Sequence, residues 1–352
     1  MKLSLWLLAL LLFSMISSDE PSPPLSAAEE LKTFKIADGF NIELVADESL
    51  IEDPVFIKFD ERGRLWVIEM RGYMQTIDGA NEDAPIGRVA FLEDKNQDGK
   101  LDTRTTYADS LIMPRALAFY QDGILIAESV PLWFYQDLDG DGKSDKRTLV
   151  DSTYGGKGLP EHAPNGLLLG MDNWLYNAKS DTRYKRLEGV WKQEKTEFRG
   201  QWGIAKDDYG RLYYNYNWSQ LHADLVPPNY LNRNPNFEST TGIDHGLSED
   251  RRVFPIRPNL AVNRGYIPST LNDKGSLIEF TSACSPFITR DNLYYPRDFI
   301  GNALVCEPAG NLIKRNLVME DGIYLTASNA YESSEFLAST DERFRPVSIT
   351  SG

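Results

Sequence analysis

The sequence predicts an all-β protein, a six-bladed β-propeller whose last blade is truncated. The main observation is one hairpin pattern that recurs six times along the 352 residues. In addition, Tyr, Phe and Trp fall in short alternating runs, which favours strands. Apolar stretches with helical spacing are scarce beyond the first twenty residues, so helices should contribute little.

Each copy of the pattern has a Pro or Gly near its start, followed by an alternating apolar strand. In the first five copies a turn rich in Asp, Asn or Gly and a second strand follow. Such turn residues tolerate the positive φ angles of tight hairpins. The paired strands are predicted at residues 54–60 and 63–68, 114–119 and 124–127, 165–170 and 174–176, 202–205 and 212–214, and 286–289 and 292–294. A sixth copy begins at residues 345–349 and has no second strand. One hairpin cannot bury both faces, whereas blades around an axis can. A β-sandwich with coincidental turns is the alternative.

The propeller is predicted to span residues 31–352, after a linker at residues 19–30. Residues 31–46, with an alternating run at 40–46, are expected to supply the outer strand of the closing blade. Because the sixth copy is incomplete, the chain is expected to be a fragment of a longer protein.

The N-terminus is typical of a signal peptide at residues 1–18. Lys2 precedes an apolar run at residues 3–16, and the small residues Ser17 and Ser18 suit a cleavage site. The apolar run is shorter than the roughly 20 residues of a membrane-spanning helix, although an uncleaved anchor is the alternative. The sequence therefore predicts an exported protein, periplasmic or associated with the cell envelope.

Charge and cysteine content narrow the possible partners. A net charge of −15 argues against nucleic acid, because phosphate binding needs a basic surface. The only cysteines, Cys284 and Cys306, are expected to form a disulfide in an oxidising compartment, with two buried free thiols as the alternative. No C-x-x-C-H motif is present, so no haem is expected on this chain.

Two acidic loops place oxygen donors at alternate positions, with a Gly at the sharp turn. Their candidate ligands are Asp94, Asn96, Asp98 and Asp102 in the first loop, and Asp137, Asp139, Asp141 and Asp145 in the second. Hard oxygen donors in this spacing favour calcium, although neither loop has the Glu at position twelve of an EF-hand. We expect structural calcium in loops between strands; an empty acidic turn is the alternative.

Two residues precede the first strands of neighbouring repeats and are expected to face the central channel. A neutral imidazole at His162 could take a proton from a substrate hydroxyl, or the residue could only cap a turn. The guanidinium of Arg199 could hold a carboxylate or quinone oxygen, or form a surface ion pair. The polar segment 217–285 has further arginines, including Arg264, that could close over the channel mouth or be part of a solvated insertion.

Several further stretches carry a resemblance to one family. They are residues 29–34, 59–67, 87–89 with the acidic loop at 94, 165–167, 172–176, 262–266, 282–284 and 306–311. Together they resemble the membrane-bound dehydrogenase domain of planctomycete and verrucomicrobial type. That domain is similar to the soluble glucose and sorbosone dehydrogenases that use pyrroloquinoline quinone.

The resemblance implies a six-bladed propeller in the cell envelope, with His162 as the base that helps remove hydride from a sugar. It also implies that Arg199 contacts the quinone. Arg264, in the segment 217–285, is a second candidate for binding the cofactor. Gly200 departs from the pattern, because the quinone enzymes usually have Asn there.

The expected function is a quinone-dependent dehydrogenase of a sugar or related alcohol, with a c-type cytochrome as a possible electron acceptor. The alternative is a non-enzymatic, calcium-bound propeller that binds glycans or a protein. The enzyme hypothesis requires His162, Arg199 and at least one arginine of the segment 217–285 to meet in one pocket.

Overall fold

The computed structural model describes residues 23–352, except 157, 235, 238–240, 261, 263–264, 266, 292 and 294. The predicted signal peptide at residues 1–18 and Arg264 therefore lie outside the described residues. Those residues form 22 strands in five antiparallel sheets, and the fold is an all-β propeller. No helix in the described part of the chain is long and apolar enough to cross a membrane.

Four blades are simple four-stranded meanders, in which each strand pairs with the next along the chain. Blade 1 contains β2 (Pro54–Phe59), β3 (Leu65–Glu69), β4 (Gly87–Glu93) and β5 (Thr103–Leu111). Blade 2 contains β6 (Ala116–Tyr120), β7 (Gly123–Ala127), β8 (Leu132–Gln136) and β9 (Lys146–Asp151). Blade 3 contains β10 (Asn165–Leu169), β11 (Leu175–Ala178), β12 (Ser180–Leu187) and β13 (Val190–Arg199). Blade 4 contains β14 (Ala205–Lys206), β15 (Leu212–Tyr216), β16 (Ser219–Ala223) and β17 (His245–Gly246).

Blade 5 combines strands from both ends of the chain. Its own strands are β18 (Cys284–Ile288), β19 (Ala303–Glu307), β20 (Leu312–Asp321), β21 (Tyr324–Asn329) and β22 (Leu337–Ser339). The N-terminal β1 (Phe34–Ile36) pairs with β22 and forms the outer edge of this sheet. The expected outer strand thus comes from residues 34–36, and the alternating run at 40–46 forms no strand.

The prediction of six blades is wrong, because the structure has five. Residues 345–352 form no strand and lie between the first strands of blades 1 and 5. Ile57 N on β2 donates to Ser348 Oγ at 3.2 Å, and Ser285 Oγ on β18 donates to the Val347 carbonyl at 2.6 Å. Both hydrogen bonds involve a serine side chain. A single extended segment that makes no backbone-to-backbone ladder with a neighbouring strand does not constitute a blade.

Two other predicted elements also differ from the structure. The second strand of the fifth hairpin is Ala303–Glu307 and does not lie at residues 292–294. The polar segment 217–285 is only partly an insertion, because it contains β16 and β17 of blade 4. Its remainder has buried apolar side chains, among them Val253, Leu277 and Phe280, that pack against blades 4 and 5.

Short helices occupy the connections. The α-helix α1 (Ala27–Glu30) begins at a capping box formed by Ser26 and Glu29. Single 3₁₀ turns span Leu31–Thr33, Pro160–His162, Leu231–Arg233, Arg297–Phe299 and Pro308–Gly310. Two of these turns, at 160–162 and 308–310, lie beside the centre of the propeller and shape the cavity described below.

The hydrophobic core lies between the faces of adjacent blades. Trp66, Phe91 and Leu117 belong to one cluster shared by blades 1 and 2, and blades 2 and 3 share a second cluster. Burying each large apolar side chain stabilises the fold by about 1.5–3 kcal/mol. This packing holds the strand ends, and with them the loops of the channel mouth, in fixed positions.

Candidate functional site

A cavity of about 430 Å³ lies where loops and strand ends of blades 1, 3, 4 and 5 converge. Its lining residues come from stretches far apart in sequence: Val55, Met70, Tyr73, Glu161, His162, Gln201, Trp202, Asn217, Thr281, Ser282, Cys284, Pro308 and Val347. Among these described lining residues Glu161 is the one carboxylate, none is Lys or Arg, and the others combine polar and apolar groups. This composition suits a small ligand with several hydroxyl groups.

His162 lies on this wall. It is the last residue of the 3₁₀ turn Pro160–His162, which begins at Pro160. His162 N donates to the Leu159 carbonyl at 2.9 Å and closes the turn. Gln201 Nε2 donates to the Glu161 carbonyl at 3.3 Å and ties this turn to the connection between blades 3 and 4. The His162 side chain is exposed, so its imidazole is available to a ligand.

Tyr73 of blade 1 and Glu161, on the turn before blade 3, form a polar pair in the cavity. Burial, together with the charge of Glu161 and a hydrogen bond to it, raises the pKa of the Tyr73 phenol to about 12. Tyr73 therefore remains a neutral hydrogen-bond donor at physiological pH. Sequence reasoning missed this pair because nothing local to Tyr73 indicates that blade 3 faces it.

Glu307 lies directly behind the wall and is fully buried. Its Oε2 accepts hydrogen bonds from Thr281 N and Ser282 N, both at 2.9 Å, and Oε1 accepts one from Ala309 N at 3.1 Å. Burial raises the pKa of this carboxyl to about 7, although the backbone donors oppose the shift. Glu307 thus positions two stretches of the wall without reaching the cavity.

Arg199 does not reach the cavity. Only 1% of this residue is exposed, and its Nε donates to Asp224 Oδ2 at 2.6 Å. Nη2 donates to Glu197 Oε2 at 2.9 Å, and Nη1 donates to Thr196 Oγ1 and to the Glu197 carbonyl. The guanidinium is therefore committed to a buried ion-pair network that joins β13 of blade 3 to Asp224, which follows β16 of blade 4.

The described arginines of segment 217–285 also lie away from the cavity, and each has a local partner. Arg251 pairs with Glu279, Arg252 with Asp250 and Arg257 with Glu342, while Arg233 stacks on Tyr230.

The two histidines of the segment also have local partners. His222 lies between Ser219 Oγ (2.7 Å) and Asp244 Oδ1 (3.0 Å), and His245 Nε2 is 3.0 Å from the Leu325 carbonyl. Because neither Arg199 nor the described arginines of the segment line the cavity, the structure does not bring them together with His162 in one pocket.

The acidic loops occupy equivalent places, since each connects the third and fourth strands of its blade. Their backbones repeat the same bonds. Asp94 Oδ2 accepts from Gly99 N at 2.8 Å, and Asp137 Oδ2 accepts from Gly142 N at 2.9 Å. The recurrence of spacing in the sequence thus reflects a repeated loop geometry.

Only the second loop gathers its carboxylates. Oxygen atoms of Asp137, Asp139 and Asp145 all lie within 4.8 Å of one another, with two of the residues exposed. Among the described residues, Asp94, Asp98 and Asp102 form no such group in the first loop. Three convergent carboxylates are a donor set that calcium accepts, so the second loop fits the ion.

Comparison with protein families identifies a match over residues 26–352, to the domain of unknown function DUF7133. The chain belongs to the DUF7133 family. No curated protein matches the DUF7133 chain in sequence.

Solved structures share the fold of the DUF7133 chain at low sequence identity. The holo form of the PQQ domain of pyranose dehydrogenase from Coprinopsis cinerea is 10% identical, with a TM-score of 0.51, covering 93% of this chain and 92% of that one. An iodide structure of a Trichoderma reesei carbohydrate-active enzyme of family AA12 is 13% identical, with a TM-score of 0.51 and 94% of both chains covered. At these identities the likeness shows a common propeller fold.

The quinone suggested by the resemblance is a poor fit to the described cavity of the DUF7133 chain. Its three carboxylates call for cationic side chains, and none of the described lining residues is Lys or Arg. Gly200, where the quinone enzymes usually have Asn, has φ +60°, and a Cβ there would lie 2.9 Å from Tyr214 Cβ and 3.0 Å from the Asn215 carbonyl. Backbone packing therefore excludes a larger side chain at this position.

Proposed function

We propose that this DUF7133 protein is a propeller oxidoreductase that acts on a sugar or related alcohol bound in the central cavity. The observation that carries the proposal is the exposed imidazole of His162 in a cavity of neutral hydrogen-bonding groups. The propeller folds of a PQQ-domain pyranose dehydrogenase and of a carbohydrate-active enzyme support the same class. Because one fold can host many different reactions, the reaction is inferred from the residues of the cavity.

In the proposed reaction His162 accepts the proton of a substrate hydroxyl. The carbon that bears this hydroxyl transfers its hydride to a separately bound acceptor. A neutral imidazole is suited to the proton transfer near neutral pH. Gln201, Asn217 and Ser282 line the same cavity and would hydrogen-bond the remaining substrate hydroxyls. Tyr73 would accept a hydrogen bond from a substrate hydroxyl through its phenol oxygen, because its own O–H is hydrogen-bonded to Glu161.

The acceptor and the location are part of the proposal. Pyrroloquinoline quinone would need cationic contacts, but Arg199 is committed to its buried partners and Arg264 lies outside the described residues. The acceptor is therefore proposed only as a two-electron oxidant of the quinone class, and no step above depends on this particular cofactor. Electrons would pass on to a c-type cytochrome, and the protein would work in the periplasm or at the cell envelope. Calcium held by Asp137, Asp139 and Asp145 would stabilise the loop between β8 and β9.

A second candidate function is carbohydrate binding without catalysis. It is favoured by the separation of Arg199 from His162 and by the lack of cations among the described residues of the cavity wall. Both functions use the same cavity, so they predict the same ligand class. They differ in whether His162 performs chemistry or only contacts the ligand.

The two candidates are separated by His162→Asn, with His245→Asn as a matched control outside the cavity. Sugars and polyols are screened for binding by calorimetry and for dye-linked oxidation, with calcium and with or without added quinone. For an oxidoreductase, His162→Asn lowers kcat by 10²-fold or more, as expected for loss of a general base, while ligand affinity changes little. Binding without turnover in the intact protein supports the second candidate and contradicts the first.

A further inference from the structure

The two cysteines meet across neighbouring strands of blade 5. Cys284 on β18 and Cys306 on β19 are directly opposite in the antiparallel register. Both are buried free thiols in this structure, so it shows the alternative to the expected disulfide. Opposed residues of an antiparallel pair have Cα atoms roughly 4.5–5.5 Å apart, which lies within the range that a disulfide spans. Their thiols are hydrogen-bonded to each other, and this contact together with burial raises the pKa of the Cys284 thiol.

The pair also borders the central cavity. Cys284 is one of its lining residues, two positions after Ser282, and its Sγ lies 3.8 Å from the Pro346 carbonyl. Cys306 immediately precedes Glu307, which holds Thr281 N and Ser282 N. Any bond between the two sulfurs would therefore join both stretches that build this side of the wall.

We propose that Cys284 and Cys306 form a disulfide across β18 and β19 that fixes the wall of the central cavity. Its formation removes two protons and two electrons from the thiols. An incoming disulfide of a thiol oxidoreductase accepts them and is reduced to two thiols. The bond holds residues 281–284 against 306–308, so it preserves the shape of the cavity. This inference does not depend on which ligand the cavity takes or whether chemistry occurs there.

The disulfide is tested on the full chain purified from an oxidising compartment. We expect no free thiol after denaturation, a mass about 2 Da below that of the reduced chain, and a fall in Tm of roughly 5 °C on reduction. The control is the variant Cys284→Ser with Cys306→Ser, whose Tm should not respond to the reductant. Two free thiols in the intact protein, or a disulfide between chains, overturns the proposal.

The place of the pair in the cavity wall is tested separately with single variants in the folded state. Cys306→Ser leaves Cys284 as the only thiol, and Cys284→Ser leaves only Cys306. A small reagent such as methyl methanethiosulfonate should modify Cys284 at least about tenfold faster than Cys306, because only Cys284 lines the cavity. Equal rates contradict the assignment of the bond to the wall, even if the disulfide itself forms.

Discussion

Single residues around the cavity show how burial decides the role of a charged group. Arg199 was a candidate ligand contact, but four hydrogen bonds and the ring of Tyr176 surround its guanidinium. A buried ion pair contributes little net stability, whereas removing one partner leaves a costly uncompensated charge. Arg199 and Asp224 therefore act as structural partners that fix the strand leading to Gln201 and Trp202.

Glu307 provides a pH-dependent test of the cavity wall. Its pKa in the folded protein, about 7, lies above the ordinary value of 4.5. The folded state therefore binds this proton more tightly, and the associated stability is complete below pH 4.5 and is lost as pH rises through about 7. Relative to Glu307→Gln, the free energy of unfolding of the intact protein should fall by up to about 3 kcal/mol over this range.

Denaturant unfolding at several pH values measures this difference. The exposed Glu249→Gln provides the control and should track the intact protein. A constant offset between Glu307→Gln and the intact protein from pH 4.5 to 8 would show that Glu307 titrates normally.

At the level of elements, the two acidic loops show that equal sequence spacing does not guarantee equal sites. Both loops have the same backbone bonds, yet only the loop between β8 and β9 brings three carboxylates together. The repulsion among these carboxylates is relieved when a divalent cation binds. Metal should therefore stabilise the second loop more than the first.

Calcium should raise the Tm of the intact protein, since an ion that binds only the folded state adds about 2.7 kcal/mol at a hundredfold excess over Kd. Asp139→Asn should abolish most of this increase, because it removes one of the three gathered carboxylates. Asp98→Asn, which removes one carboxylate of the first loop, should retain it. Melting curves with calcium, with magnesium and with a chelator measure the effect. An unchanged Tm on calcium addition contradicts a metal in either loop.

At the level of the whole molecule, both ends of the described chain contribute to the contacts around blade 5. β1 pairs with β22 at its outer edge, and residues 345–352 lie between β18 and β2. The last segment also supplies Val347 to the cavity. Ring closure and cavity shape thus depend on the same eight residues.

Deleting residues 346–352 should lower the free energy of unfolding by about 2 kcal/mol or more, through lost hydrogen bonds and apolar burial. It should also weaken ligand binding, because Val347 and the Pro346 carbonyl border the cavity. Deleting only the exposed residues 351–352 serves as the control. Equal stability and ligand affinity of the two truncated forms would contradict a role of this segment in closure.

Much of the fold was predictable because hairpins are specified locally. The strands β2 and β3, and β6 and β7, were predicted from apolar alternation and turn residues within about 15 positions of each other. The number of blades was not, because whether a segment pairs into a sheet depends on strands that are distant in sequence. Residues 345–349 have the alternation of a strand but no partner strand to pair with.

The sequence by itself determined the β-hairpins, the acidic loops and the placement of His162 before a first strand, because each depends on neighbours along the chain. Only the tertiary structure decided which of these groups share a site. It brought Tyr73, Glu161 and Cys284 to the cavity of His162, and it sealed Arg199 inside an ion-pair network. The physical reason is that the burial of a side chain, and its approach to residues of other blades, depend on how the blades pack around an axis. The sequence next to a residue does not indicate which residue of another blade will face it.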